Sequence, residues 1–233
     1  ITSWSDDTVR GDTNADGGST SPSKGRWYGF FLTGSKPALT QYLDVRYGVF
    51  GLQYEEYYGP DPACPTVANS SFSNNVYGFV VLAWNGVAQN SCMTVRDSTF
   101  TSNTVGIGLS VFGWGDIISN ISNNTLTNNT YGIATSQRDW SIPIGTSSWV
   151  QMMGNGLYRP NQIAMELLVL IEVIGPATGS LLPTLTNNTI SGGSFPLYYG
   201  GPTFPTLSGN VFSGMTHRAI RLGGVYRDTE QGF

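Results

Sequence analysis

Ser119-Asn120-Ile121-Ser122-Asn123-Asn124-Thr125-Leu126-Thr127-Asn128-Asn129-Thr130-Tyr131-Gly132-Ile133 is one of three versions of the same phrase. The other two are Pro65-Thr66-Val67-Ala68-Asn69-Ser70-Ser71-Phe72-Ser73-Asn74-Asn75-Val76-Tyr77-Gly78-Phe79 and Met93-Thr94-Val95-Arg96-Asp97-Ser98-Thr99-Phe100-Thr101-Ser102-Asn103-Thr104-Val105-Gly106-Ile107. Each reads apolar, any, Asn or Asp, small polar, any, apolar, small polar, any, Asn, two more, Gly, apolar. A phrase returning at such a period marks a solenoid. Val67, Val95 and Ile121 open a short strand that ends in a turn at Asn69, Asp97 and Asn123. Phe72, Phe100 and Leu126 then point inward on a second strand. Gly78, Gly106 and Gly132 are expected where the backbone bends, and Phe79, Ile107 and Ile133 open a third strand.

Weaker copies extend the phrase. Leu185-Thr186-Asn187-Asn188-Thr189-Ile190 restores it cleanly, and Leu207-Ser208-Gly209-Asn210-Val211-Phe212 repeats it again. Met152-Met153-Gly154-Asn155-Gly156-Leu157 reads as a degenerate start, with residues 163–173 supplying inward apolar positions. Upstream, Leu43, Val45 and Tyr47 alternate with Asp44 and Arg46, the period of a half-buried strand. The steps from Val67 to Val95, Ile121, Met152, Leu185 and Leu207 are 28, 26, 31, 33 and 22 residues. Variation falls in the excursions, as expected when strands set the repeat.

The pattern resembles the right-handed parallel β-helix of pectate-lyase-like proteins and of modules in large bacterial surface proteins. That resemblance implies an all-β, single-stranded, right-handed solenoid, here of about eight coils. Like residues would stack about 4.8 Å apart along its axis. The domains expected are an Asp-rich N-terminal segment, 1–26, packed on the first coil, and the β-helix, 27–233. The fold hosts many unrelated activities, so function must be read from sites.

Composition agrees with this class. Charged residues are 11% of the 233, against about 25% in an average globular chain. Ser and Thr number 48 and Gly 30, while 39% hydrophobic and 12% aromatic residues argue against disorder. The net charge is −4 with only Lys24 and Lys36 as lysines, which excludes a basic nucleic-acid footprint. The longest apolar run, residues 163–174, is too short for a membrane span and contains Glu166 and Glu172. The start at Ile1-Thr2-Ser3-Trp4 lacks a signal-peptide pattern and reads as a mature or excised piece of something longer.

Asp12-Thr13-Asn14-Ala15-Asp16-Gly17 is the first half of an EF-hand-type calcium loop, with alternating oxygen side chains and a Gly for the sharp turn. Ser23 stands where the bidentate Glu belongs. A calcium ion would therefore take Asp12, Asn14 and Asp16, a carbonyl near Gly18, and a carboxylate from Asp6 or Asp7. The competing reading is a polar Asx-turn without metal. The stretch 3–29, a calcium-type loop leading into Trp27-Tyr28-Gly29-Phe30-Phe31-Leu32, is similar to an element of bacterial surface β-helix proteins.

Cys64 and Cys92 are 28 residues apart, equal to the local step from Val67 to Val95. In a β-helix they would stack on neighbouring coils, within reach of a disulfide. That pairing implies an oxidising, extracytoplasmic compartment. Sequons occur at Asn69, Asn120, Asn123, Asn128 and Asn187. Several are expected on ladder positions whose side chains bond their stacked neighbours, leaving Asn128 the best acceptor.

Glycosidases need two carboxylates across a cleft. Asp97, Asp116 and Asp139, with Arg96 and Arg138, are the candidates here, but they belong to different parts of their coils. Asp97 shares the turn position of Asn69 and Asn123, which favours a structural role. His217 has no recognisable nucleophile partner. An enzyme is therefore the less favoured expectation. The favoured one is a structural or adhesive extracellular module, joined through its ends to other β-helix domains or to identical subunits in a filament. Both ends read as strand. The alternative is a carbohydrate-binding or polysaccharide-cleaving β-helix, with Trp84, Trp114 and Trp140 as a stacking platform for a surface polysaccharide.

Overall fold

The computed structural model describes residues 1–33, 39–56, 64–83, 91–111, 116–137, 180–200, 203–217 and 220–223. After helix α1 (Asp7–Arg10) and strand β1 (Phe30–Thr33), the chain runs in triplets of strands. The first is β2 (Leu39–Gln41), β3 (Asp44–Arg46) and β4 (Phe50–Glu56), and the second β5 (Thr66–Ala68), β6 (Ser71–Ser73) and β7 (Tyr77–Ala83). Next come β8 (Ser91–Arg96), β9 (Thr99–Thr101) and β10 (Val105–Val111), then β11 (Ile117–Ser122), β12 (Thr125–Thr127) and β13 (Tyr131–Gln137). The last two are β14 (Leu181–Thr186), β15 (Thr189–Ser191) and β16 (Phe195–Gly200), then β17 (Thr206–Ser208), β18 (Val211–Ser213) and β19 (Ile220–Gly223).

Strands of like rank pair side by side, all parallel. The first sheet is β2-β5-β8-β11-β14-β17, the second β3-β6-β9-β12-β15-β18, and the third β1-β4-β7-β10-β13-β16-β19. The chain is thus an all-β parallel solenoid, with the register the repeat implies. Val67 lies beside Val95, Val95 beside Ile121, and Ile121 beside Leu185. The last pairing corrects the sequence reading. Because β11 bonds directly to β14, no coil beginning at Met152 stands between them. Residues 138–179, including that stretch and 163–173, lie outside the described residues.

The inward residues form one continuous core. Val67, Phe72, Phe79, Val95, Phe100, Ile107, Ile121, Leu126 and Ile133 are fully buried. Each such side chain contributes about 1.5–3 kcal/mol on leaving water. Stacking adds geometry: the Phe72 and Phe100 rings lie 5.2 Å apart and nearly parallel.

Two corners turn each triplet, and both use the left-handed region. At the first corner Tyr42, Asn69, Asp97, Asn123, Asn187 and Gly209 have φ between 48° and 64°. At the second, Tyr47, Asn74, Ser102, Asn128, Gly192 and Gly214 have φ between 54° and 64°. Asn and Asp tolerate this conformation better than other non-glycine residues, which explains their place in the phrase. The residue after each corner turns inward and builds a ladder. Asn75, Asn103 and Asn129 form one, and Asn124, Asn188 and Asn210 the other, headed by Ser70 and Ser98.

Gly78 and Gly106 do not make the bends expected of them. They sit within β7 and β10, and neither has a positive φ. What excludes a side chain is the adjacent strand. A Cβ on Gly78 would lie 2.7 Å from the Gly106 carbonyl oxygen, and one on Gly106 would lie 2.6 Å from that of Gly132.

Candidate functional site

The N-terminal segment lies against the first triplet. The Arg46 N–H donates to the Ile1 carbonyl at 2.9 Å, and the Arg26 N–H to the Tyr47 carbonyl at 2.9 Å. Asp6 caps α1: its carboxylate accepts from the Thr8 N–H at 3.2 Å and from the Thr2 and Thr8 hydroxyls. Burial alone would raise its pKa. The hydrogen bonds from Thr2 and Thr8, helped by the Arg46 charge, outweigh that and hold it below its ordinary value.

The acidic loop follows. Asp12 accepts from the N–H groups of Asp16 at 2.9 Å and Gly17 at 2.8 Å. Asp16 accepts from those of Gly18, Ser19 and Thr20, at 2.8, 3.1 and 3.0 Å, and from the Thr20 hydroxyl. Asn14 turns its amide nitrogen to Asp16 and Thr20, both at 2.9 Å. One carboxylate oxygen from each of Asp7, Asp12 and Asp16 lies within 4.8 Å of the others. Asp7 Oδ1 is shielded from solvent and has no hydrogen-bond partner. Desolvation and the negative charges of Asp12, Asp16 and Asp6 push the Asp7 carboxyl up.

This donor set fits a hard cation. Three carboxylates converge, and one holds an orphaned oxygen. Of the two carboxylates considered as the extra donor, Asp7 is the one that lies with Asp12 and Asp16. Asp6 is not brought in: its Oδ1 caps the helix at Thr8 and its Oδ2 accepts from the Thr2 hydroxyl. Gly18 contributes an N–H to Asp16, and Asn14 would have to turn its carbonyl oxygen inward to act as a ligand.

Cys64 and Cys92 form a disulfide with a Cα–Cα separation of 4.9 Å, matching one strand spacing. No described helix is long and apolar enough to cross a membrane.

The carboxylates considered for catalysis are not brought together. Asp97 follows β8, pairs with Arg96 at 2.6 Å and accepts from the Asn123 amide at 3.3 Å. Asp116 precedes β11 and accepts from the Ser180 N–H at 2.7 Å. β8 and β11 are neighbours in register, so the two residues stand at opposite ends of the sheet, about 20 Å apart along the strands. Glycosidic carboxylates face each other at about 5–10 Å. Asp139 and Arg138 lie outside the described residues, as do Trp84, Trp114 and Trp140. His217 is exposed and stacks on Phe195 at 4.8 Å.

The sequons are better placed than the sequence suggested. All five asparagines, Asn69, Asn120, Asn123, Asn128 and Asn187, are exposed. Four occupy left-handed corners, and Asn120 lies on the outer face of β11. At each corner the buried ladder uses the residue that follows, so ladder bonding does not occupy the sequon side chains.

The second sheet's outer face carries a further regular feature. Thr99-Phe100-Thr101 and Thr125-Leu126-Thr127 bury their central residue and turn the flanking hydroxyls outward. The signal was the small polar residue on each side of the inward apolar one. Comparison with protein families, curated proteins and solved structures finds no match to this chain.

Proposed function

We propose that this chain is a non-enzymatic structural or adhesive module of an extracellular protein, built as a right-handed parallel β-helix. The observation that carries the reading is the unbroken register of three parallel sheets, stapled between neighbouring triplets by Cys64–Cys92. Such a body resists bending and separates what is attached at its ends, and it offers long regular faces. The disulfide suits an oxidising compartment. A calcium ion held by Asp7, Asp12 and Asp16 would tie the N-terminal loop to α1, stiffening the segment that lies on the first triplet.

Its partners are other β-helix domains or identical subunits, met through the ends. Among the described residues, β17 and β18 have no neighbour on their outer edges, and they expose Leu207 and Val211. Leu39 and Tyr42 are exposed at the opposite end. Open strand edges of this kind template further strands, and a heterologous contact between them extends into a filament. Analytical ultracentrifugation and electron microscopy of the oxidised protein test this. Concentration-dependent end-to-end species that Leu207→Glu with Val211→Glu abolishes are expected. A monodisperse monomer at every concentration, indifferent to those changes, overturns the assembly reading.

A further inference from the structure

The outer face of the second sheet carries hydroxyl groups in register. Thr99, Thr125 and Thr189 lie side by side in one rank, and Thr101, Thr127 and Ser191 in a second. Ser71 and Ser73 extend both ranks by one strand. Neighbours within a rank are one strand spacing apart, about 4.8 Å, and the ranks are two residues apart, about 6.6 Å. None of these side chains has a hydrogen-bond partner among the described residues. From β6 to β15 the face carries no charged or aromatic side chain. Asp44 and Arg46, on β3 at one edge, neutralise each other at 2.7 Å.

We propose that this face binds ice. The inference deepens the adhesive reading above and rests on it. A soluble ligand calls for a concave site that buries most of its surface. This face is open and repeats in two directions, so its natural complement is a surface that also repeats. A crystalline polysaccharide would call for aromatic platforms, which the face lacks. Its strand-spacing repeat is instead close to the shorter oxygen–oxygen repeat on the primary prism face of hexagonal ice, and its inter-rank repeat falls about a tenth short of the longer one, a mismatch that does not accumulate over two ranks. Each Thr presents a hydroxyl that can take a lattice water's place and a methyl group that fits between waters. Threonine is stiff at χ1, and the sheet fixes its backbone. The hydroxyls are therefore ordered before contact, and little entropy is lost on binding.

The test uses the oxidised full chain. Thermal hysteresis, ice-crystal shape and partition of the labelled protein into a growing ice front are measured for the wild type, Thr101→Tyr, Thr127→Tyr and Thr184→Tyr. Thr184 faces outward on the first sheet and serves as the control, and circular dichroism checks that each variant folds. Faceted ice, a hysteresis gap and incorporation into ice are expected for the wild type and Thr184→Tyr, with loss of all three in Thr101→Tyr and Thr127→Tyr. A wild type that neither shapes nor enters ice overturns the proposal. So does unchanged activity in folded Thr127→Tyr, or retention on crystalline cellulose or chitin, without ice activity, that the same substitutions remove. Sedimentation of the same samples reports end-to-end assembly, which Thr127→Tyr leaves intact, so failure of one reading is separable from failure of the other.

Discussion

Asn103 gives both its backbone N–H and its side-chain amide to a single atom, Asn129 Oδ1, at 2.9 and 3.1 Å. Its amide nitrogen also donates to the Phe72 carbonyl at 2.9 Å, and its own Oδ1 accepts from the Asn75 N–H at 2.9 Å. One fully buried side chain thereby satisfies backbone groups on either side of a corner. Asn103→Ala leaves several buried polar groups without partners, at about 1–3 kcal/mol each. Asn69→Ala, at an exposed corner, meets only the left-handed backbone cost of about 1–2 kcal/mol, and Asn69→Gly removes even that. The order of urea midpoints, Asn103→Ala lowest and Asn69→Gly nearest wild type, checks the assignment of buried and exposed columns.

Gly106 and Gly108 share β10 but differ in what a methyl group would meet. On Gly106 it would press on the Gly132 carbonyl oxygen at 2.6 Å and on Leu126 at 3.0 Å. Backbone in the next strand cannot move without disturbing the ladder. On Gly108 the nearest atom is the tip of Val80, at 3.2 Å. Gly106→Ala should therefore cost an amount at the upper end of the about 1–3 kcal/mol typical of overpacking, and Gly108→Ala clearly less. Thermal unfolding of the two variants decides it; equal losses would mean that strand approach does not explain the repeated glycine.

The Cys64–Cys92 bond closes a segment of 28 residues. Loop-closure entropy for a crosslink of that length corresponds to about 3–4 kcal/mol. Reduction, or Cys92→Ser, should lower the midpoint by a corresponding amount without loss of the β spectrum, because the register is held independently by the stacked core. A reduced protein as stable as the oxidised one would remove the staple from the account.

The fold was legible because the solenoid writes its geometry into the sequence at fixed positions. Val67, Val95 and Ile121 announce the inward column, and the shared step of the cysteines places their bond. Two features were misread for physical reasons. Asn123 and Asn124 are the same residue type side by side, yet the first is exposed in a left-handed corner and the second is buried in the ladder. Only the register separates them. Met152 imitates a coil start because apolar residues and glycines recur there, but pairing of Ile121 with Leu185 leaves no place for a strand between. The acidic loop was visible as a motif. That Asp6 serves the helix cap while Asp7 joins Asp12 and Asp16 depends on where a four-residue helix begins, which no pattern in the chain specified.

Asp6 and Asp7 are adjacent, and their acidities are displaced in opposite directions. The Asp6 carboxyl is held below its ordinary 3.8. Its contribution to stability is full above that value and is lost as pH falls through the lower folded-state value. Asp6→Asn should flatten this acid limb and lower stability at neutral pH. The Asp7 carboxyl is pushed above 3.8 by desolvation and its acidic neighbours. In metal-free protein its ionisation therefore lowers stability as pH rises from 3.8 through the folded-state value. Calcium held by Asp7, Asp12 and Asp16 would reverse that sign, since the ion needs the ionised carboxylates and binds only the folded loop. Asp7→Asn is thus expected to raise the unfolding midpoint slightly in EDTA and to abolish the gain that millimolar calcium gives the wild type. Equal midpoints for the wild type in EDTA and calcium would remove the metal from the account. The Asp6 acid limb would survive that result, because it depends on Thr2, Thr8 and the Arg46 charge and not on an ion.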